Sequence, residues 1–187
     1  MPTSFNSGNV NPMNLPKELR PTANERIKLP MRWFVKIPKV NPVFKPWTGK
    51  KVRDTYGRKA ILNFYGKPQF AELGILKMMV RSGWSGVWVD TYRNKFRTRY
   101  WPKDAVELPA KQANILNRIR EEVGSRAGCF DVFCWKGDRF IFIESKRCHK
   151  DTIRDTQKKW LQIAHLKCGI PFNRFLIVEW SVPEQSG

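Results

Sequence analysis

Residues 128–150 read GCFDVFCWKGDRFIFIESKRCHK, and the pattern of these residues predicts the centre of the β-sheet. It holds two short runs of apolar, aromatic and β-branched residues, a composition typical of β-strands. Gly137 and Asp138 separate the runs, and glycine in the first position favours a two-residue type II′ turn. The sequence therefore predicts an antiparallel hairpin in which Lys136 faces Arg139.

Each predicted strand carries one acidic residue inside its apolar run. In this register Asp131 lies directly opposite Glu144. Cβ atoms in such positions are about 4.5–5.5 Å apart, and like charges there repel. Strand side chains alternate, so Lys146 projects from the same face as Glu144 and Ser145 from the other. The sequence therefore predicts two carboxylates and one ammonium group in one patch.

The opposed carboxylates indicate a site for a hard cation. Mg²⁺ is bound by oxygen atoms, usually from one or two protein carboxylates together with water and phosphate. Such an ion would relieve the repulsion, polarise a phosphodiester and activate a bound water. Lys146 would orient that water or help to deprotonate it, and would stabilise the charge of the transition state.

A plainer interpretation of the same pattern is a surface salt bridge, Glu144 to Lys146 or Asp131 to Arg139. However, three large apolar residues share that strand face: Phe133, Phe140 and Phe142. A solvated sheet face fits such residues poorly, so the pattern favours the metal site.

Two further polar residues are predicted to face inward from helices. The helix predicted from about Thr152 to Cys168 has an apolar stripe, and Gln157 falls on it. A glutamine there either satisfies buried backbone groups or hydrogen-bonds a water or phosphate in the site. Glu72 shares a face with apolar residues in the helix predicted between Pro68 and Gly83. Taken alone, Glu72 is predicted to lie at the rim of a site.

Together these residues resemble the PD-(D/E)XK nuclease superfamily, and most closely its VRR-NUC branch. The resemblance spans about Pro68 to Trp180, and its matching pieces are Glu72, Asp131 at the end of GCFD, the ESK of residues 144–146, and Gln157 with Trp160. The chain departs from the family at CFD, where proline often precedes the aspartate. That departure changes local rigidity and leaves the chemistry intact.

The resemblance implies a single restriction-endonuclease-like α/β domain over residues 61–187, with a mixed central β-sheet flanked by helices. The implied ligands for Mg²⁺ or Mn²⁺ are Asp131, Glu144, the Ser145 carbonyl and Glu72. The implied catalytic set is Asp131, Glu144, Lys146, Gln157 and Glu72. The sequence offers three alternatives for the part of Glu72, namely Glu107, Glu121 and Glu122.

The implied activity is hydrolysis of phosphodiester bonds in nucleic acid, with DNA as the expected substrate. A structure-specific endonuclease is one form of this activity, and a homodimer stays open because relatives acting on symmetric junctions need one. The competing interpretation is a basic nucleic-acid-binding module without catalysis. A formal net charge of +19 fits either function, since both require an anionic partner.

Composition and cysteine usage indicate an intracellular protein. We expect it to be soluble and cytoplasmic, because no run of about 18 apolar residues exists and the N-terminus lacks a signal core. The four cysteines show no secreted-type framework, so we interpret them as reduced thiols. Cys148-His149 and His165-x-x-Cys168 leave zinc as a weak alternative, because the spacing lacks a CxxC knuckle.

Residues 1–60 are predicted to form a basic arm outside the core. They hold eight of the thirteen prolines and thirteen Lys or Arg residues. We expect the first thirty residues to be disordered, because they have little apolar surface to bury. The arm is either a solvated tail or a clamp on a polyanion.

Two groups of basic residues are predicted to bind nucleic acid. The first recurs every two residues along a β-ribbon and lines one strand face: Arg93, Lys95, Arg97 and Arg99. Edge strands also carry such residues merely to prevent aggregation. The second group follows the acidic pair: Arg147, Lys150, Arg154 and Lys158. Both groups predict contact with the phosphate backbone and not with base edges.

Overall fold

The structure is a computed structural model, and it describes residues 14–52, 57–99 and 105–183. These residues contain ten β-strands and three α-helices. In chain order they are β1 (Ala23–Lys28), β2 (Phe34–Val40), β3 (Leu62–Phe64), β4 (Lys67–Gln69), α1 (Ala71–Arg81), β5 (Ser85–Asp90), β6 (Lys95–Arg97), β7 (Ala105–Val106), α2 (Ala110–Val123), β8 (Val132–Lys136), β9 (Arg139–Arg147), α3 (Asp155–Leu166) and β10 (Phe175–Trp180). Within these ranges every helix falls short of the length and hydropathy that a membrane crossing requires.

The central element is an eight-stranded mixed sheet in the order β1-β2-β10-β9-β8-β5-β6-β7. The strand β10 runs parallel to both of its neighbours, whereas the other strand pairs are antiparallel. β3 and β4 form a separate hairpin. The predicted α/β fold, with a mixed central sheet flanked by helices, is confirmed at this level.

The β8–β9 hairpin has the predicted register. Its pairs run from Val132 opposite Ile143 to Lys136 opposite Arg139. Gly137 has φ 58°, while Asp138 has no positive φ, as a type II′ turn requires. In the same register Asp131 lies opposite Glu144, one position beyond the last strand pair, Val132 and Ile143.

Strand alternation divides the core into two layers. Buried residues of β8 and β9 that pack toward α1 are Val132, Cys134, Ile141 and Ile143. Those on the opposite face, toward α2 and α3, are Phe133 and Phe142, which meet Leu116, Ile119 and Trp160. The predicted apolar surroundings of the acidic pair are confirmed, because Phe133 and Phe142 are fully buried.

The loop before β8 packs tightly against the first turn of α3. Gly128 has φ 88°, and a Cβ there would lie 2.2 Å from the Thr156 carbonyl oxygen. Glycine is required both by the positive φ and by this close approach. The helix α3 begins at Asp155, three residues later than the predicted start at Thr152. Its first turn is capped by Gln157, whose side chain accepts a hydrogen bond from the Arg154 N–H.

The predicted basic arm outside the core is wrong for residues 14–52. β1 and β2 form a hairpin that joins the main sheet through parallel pairing of β2 with β10. Four apolar side chains alternate along it and are at most 5% exposed: Ile27, Leu29, Val35 and Ile37. This alternation outweighs the proline content, because only Pro38 lies within either strand. Residues 1–13 and 53–56 of the predicted arm lie outside the described residues.

The burial of β2 makes its contribution to stability measurable. Ile37 is 0% exposed, so Ile37→Ala leaves a cavity in the core. We expect the free energy of unfolding in urea to fall by about 2–5 kcal/mol. Val43 is 63% exposed, and the control Val43→Ala should change it by no more than about 0.5 kcal/mol. An Ile37→Ala variant as stable as wild type would contradict the placement of β2.

Candidate active site

A cleft of about 560 Å³ opens where the start of β8, the end of β9 and the start of α1 meet. Its acidic lining residues include Glu72, Asp131 and Glu144, and its lysines include Lys59 and Lys146. Five of the residues predicted to form the site line this cleft, namely Glu72, Asp131, Glu144, Ser145 and Lys146. Gln157 reaches the same group from beneath through its hydrogen bonds.

Glu144 forms the floor of the cleft. It is 1% exposed, and its Oε1 atom lies 2.8 Å from Lys146 Nζ. The same Oε1 accepts a 2.5 Å hydrogen bond from Gln157 Nε2. The second oxygen, Oε2, is buried and has no hydrogen-bond donor among the described residues. One oxygen of this carboxylate is therefore fully satisfied, and the other is left for a ligand or a proton.

Gln157 connects α3 to the strand that carries the acid and the lysine. Its Oε1 accepts hydrogen bonds from Lys146 Nζ at 3.1 Å and from the Arg154 backbone N–H at 3.0 Å. Its Nε2 donates to Glu144. Of the two roles predicted for this glutamine, the structure has the hydrogen bond to a backbone group, while a hydrogen bond to a water or phosphate in the site stays a prediction.

Asp131 is fixed by the backbone of the neighbouring strand. Its Oδ2 accepts a hydrogen bond from the Ser145 N–H at 3.0 Å. Burial raises the pKa of Asp131 well above its usual value, and repulsion from Glu144 and Glu72 adds to that rise. Burial also raises the pKa of Glu144, against the opposing effects of Lys146 and Gln157. The site therefore attracts either a proton or a cation.

Glu72 enters the cleft from the first turn of α1 and forms an ion pair with Lys59. The three alternatives suggested for its part, Glu107, Glu121 and Glu122, do not line the cleft. Lys59 was not predicted to belong to the site, because residues 1–60 were assigned to the basic arm. No motif marks this lysine, and only the folded chain places it beside Glu72.

Ser145 has separate roles for its side chain and its backbone. Its hydroxyl oxygen accepts a 3.0 Å hydrogen bond from Trp180 Nε1, on the face that packs toward α1. The predicted projection of this side chain from the face opposite Glu144 and Lys146 is confirmed. Its N–H holds Asp131, while the role of its carbonyl as a metal ligand stays a prediction.

The residues of the cleft fit Mg²⁺ or Mn²⁺. Hard cations of this kind select carboxylate oxygens, and Mg²⁺ usually takes one or two of them. Asp131 and Glu144 supply two, and the orphaned Oε2 of Glu144 is an acceptor that lacks a donor. Among the described residues, no three His, Cys, Asp or Glu side chains are grouped closely enough to hold an ion. A site here would therefore complete its coordination with backbone, water or substrate oxygens.

The cysteines lie apart from the cleft. Cys129 and Cys134 are buried, Cys148 and Cys168 are half-buried, and all four are free thiols. Burial raises the pKa of both Cys129 and Cys134, which keeps them protonated and unreactive. The weak zinc alternative gains no support from this arrangement.

Of the four basic residues predicted to follow the acidic pair, three line the cleft and one does not. Three line the cleft, namely Arg147, Lys150 and Arg154. Arg147 also stacks on the Trp180 ring, with 5.5 Å between its Cζ and the ring centroid. Lys158 lies elsewhere, because its Nζ pairs with Asp155 Oδ1 at 2.8 Å and it borders a neighbouring cleft.

The predicted basic stripe on the β-ribbon is corrected in one position. Arg97 is 2% exposed, and its Nε binds Asp90 Oδ2 at 3.0 Å. Arg93 lies in the turn, with Nη1 3.8 Å from the same oxygen. Only Lys95 and Arg99 of the four are exposed without a described acidic partner. Lys95 and Arg97 share a strand face, yet Lys95 is exposed whereas Arg97 is buried and neutralises the buried Asp90.

No protein-family model, curated protein or solved structure matches this chain.

We expect the native state to become more stable when one charge of the Asp131–Glu144 pair is removed, because the two carboxylates repel each other. Asp131→Asn keeps an oxygen for the Ser145 N–H and removes a negative charge beside the buried Glu144. A carboxyl whose pKa is raised by folding destabilises the native state as pH rises from its unfolded value of about 3.9 through its folded value. In EDTA at pH 8 we therefore expect the variant to melt about 2 °C or more above wild type. The gain should shrink toward pH 4.

Asp138→Asn is the matched control, because Asp138 is exposed at the β8–β9 turn and hydrogen bonding to Lys111 lowers its pKa. This variant should show no gain at pH 8. Differential scanning calorimetry of both variants across pH 4–8 checks the prediction. A melting temperature of Asp131→Asn below that of wild type at pH 8 would contradict it.

Proposed function

We propose that this chain is a Mg²⁺- or Mn²⁺-dependent nuclease of the PD-(D/E)XK type, with a restriction-endonuclease-like fold, that hydrolyses phosphodiester bonds in DNA. The observation that carries the proposal is the connected group of Glu144, Lys146 and Gln157 together with Asp131, which lines the same cleft as Glu144 and Lys146. Two opposed carboxylates, one buried and one half-buried, destabilise a fold unless a cation or a proton lies between them. Such a group is more readily explained by chemistry than by packing.

Asp131 and Glu144 would hold the divalent ion. When bound, the ion polarises the phosphodiester and lowers the pKa of a bound water. Glu144 is held rigid by Lys146 and Gln157, and Asp131 by the Ser145 N–H. The two ligands are therefore positioned before substrate arrives, which lowers the reorganisation that the reaction requires.

Lys146 would act on the attacking water or on the phosphate. In hydrolysis the water oxygen bonds to phosphorus, the bond from phosphorus to the leaving oxygen breaks, and the leaving oxygen takes a proton. A lysine ammonium group has three donors, and two of those on Lys146 point to Glu144 and Gln157. The third is left for the water or for a non-bridging phosphate oxygen, where it would stabilise the growing negative charge.

The rim of the cleft would hold the nucleic-acid backbone. Arg147, Lys150 and Arg154 surround the acidic floor, and Lys150 and Arg154 are exposed. Each phosphate that they neutralise releases counterions, so binding of this kind weakens with salt. Contacts of this type position the strand without reading its sequence.

A non-catalytic nucleic-acid-binding module is the second candidate, and the net charge of +19 favours it as much as the nuclease. The same rim residues would serve a binder. A binder gains nothing from buried carboxylates that repel phosphate, however. The acidic floor therefore favours the nuclease.

Cleavage assays separate the two functions. We expect the purified protein to cut at least one of labelled single-stranded, duplex, circular or branched DNA with Mg²⁺ or Mn²⁺ and not with EDTA, with RNA tested in parallel. Asp131→Ala and Lys146→Ala should each lower the cleavage rate by about 100-fold or more, whereas Asp138→Ala should leave it unchanged. Full activity in Asp131→Ala would rule out this site, and salt-sensitive binding without any cutting would favour the binding module.

The contribution of the rim is measurable by salt dependence. We expect Lys150→Ala and Arg154→Ala each to weaken DNA binding and to reduce the slope of log Kd against log salt concentration by about one. Lys159→Ala is the matched control, because Lys159 is exposed on α3 and lines none of the described clefts. Fluorescence anisotropy in EDTA checks binding without cleavage. Equal slopes for all three variants would place the DNA elsewhere.

A further inference from the structure

Lys59 is held beside the acidic floor by three contacts. Its ammonium group pairs with Glu72. It also lies 5.3 Å from the centroid of the Trp88 ring and 5.9 Å from that of the Phe70 ring, within the range of cation–π attraction. The ion pair and the two rings fix a positive charge in the lining of the cleft, next to Glu72.

The charges of the cleft floor are nearly balanced by these two lysines. Beyond the floor, the cleft is lined by Asp151 and by four cationic side chains, Arg58, Arg147, Lys150 and Arg154. The floor itself holds three carboxylates, Glu72, Asp131 and Glu144, and the two lysines paired with them, Lys59 and Lys146. The floor thus carries one net negative charge when all five are ionised. One divalent ion and one phosphodiester would bring the floor to neutrality, whereas a second divalent ion would leave it two charges positive.

The contacts of Glu72 also argue against a second metal ion in the site. Its carboxylate already has a cationic partner in Lys59. Glu72 also forms no group of three possible ligands with Asp131 and Glu144 in the described residues. A carboxylate engaged by an ammonium group is a poor ligand for a further ion, because the two cations would repel.

From these observations we propose that the site takes a single divalent ion, between Asp131 and Glu144, and that Lys59 supplies at Glu72 the positive charge that a second ion would otherwise supply. This inference rests on the proposed metal-dependent function. Glu72 then acts as a positioning residue that holds Lys59, and it does not ligate the metal. Lys59 faces the cleft and is available to a phosphate oxygen of the substrate.

The stoichiometry of Mn²⁺ binding tests this inference without any activity. Free Mn²⁺ is measured by electron paramagnetic resonance while the full chain is titrated at neutral pH. We expect one Mn²⁺ per chain in wild type. Lys59→Met removes the charge at similar length and should raise the stoichiometry toward two. Lys59→Arg keeps the charge and should retain one, as should the control Lys150→Met at the rim.

Two carboxylate variants give an independent readout. We expect Glu72→Gln to change the Mn²⁺ Kd by less than about threefold, and Asp131→Asn to weaken binding by about 100-fold. Two Mn²⁺ ions per wild-type chain would overturn the inference and leave the proposed function standing. Equal losses of Mn²⁺ affinity in Glu72→Gln and Asp131→Asn would also overturn the inference and leave the proposed function standing. No Mn²⁺ binding by wild type would overturn the metal-dependent function itself.

Discussion

The side chain of Gln157 is the junction on which the candidate site depends. Its amide donates to the buried Glu144 and accepts from Lys146, and it also caps the backbone at Arg154. The position of α3 against the sheet and the geometry of the acid and the lysine are thus set by one residue. Gly128 permits this arrangement, because any larger residue would collide with the first turn of α3.

The electrostatics of the cleft follow from that junction. Glu144 is held in the core with its Oε2 lacking a donor, and Asp131 faces it with a raised pKa. Burial of one carboxylate costs free energy, and a second beside it costs more. Proteins tolerate such groups chiefly at functional sites, where a charged ligand offsets the repulsion. Two lysines reduce the cost in the absence of a ligand, which allows the chain to fold before the site is occupied.

Local pattern was enough to predict the centre of the fold and most of the candidate site. The turn at Gly137 sets the register of β8 and β9, and the register alone brings Asp131 to Glu144. Period two then places Lys146 and Ser145 on opposite faces, as the structure has them. Helical periodicity also predicted that Gln157 and Glu72 are buried.

The errors came from contacts between distant parts of the chain. Lys59 reaches Glu72 only because the chain folds back on α1, and nothing in its own neighbourhood marks it. The buried Arg97 was predicted as an exposed phosphate contact, because strand alternation does not say which face is covered. The β1–β2 hairpin was not predicted, because the prolines of residues 1–60 indicated an extended arm. Its buried apolar residues nevertheless alternate as in a strand pair: Ile27, Leu29, Val35 and Ile37.

Strand pairs that are close along the chain are expected to form before strand pairs that are far apart. The β8–β9 pairing closes through a two-residue turn, whereas β2 meets β10 across most of the chain, as in the Asn41–Glu179 hydrogen bond between residues 138 positions apart. Short loops close with less entropy loss and form faster. We therefore expect Asp131 and Glu144 to come together early, with the β8–β9 hairpin, and the β1–β2 hairpin to dock late, so that the hairpin that carries both acids serves also as a nucleus for folding.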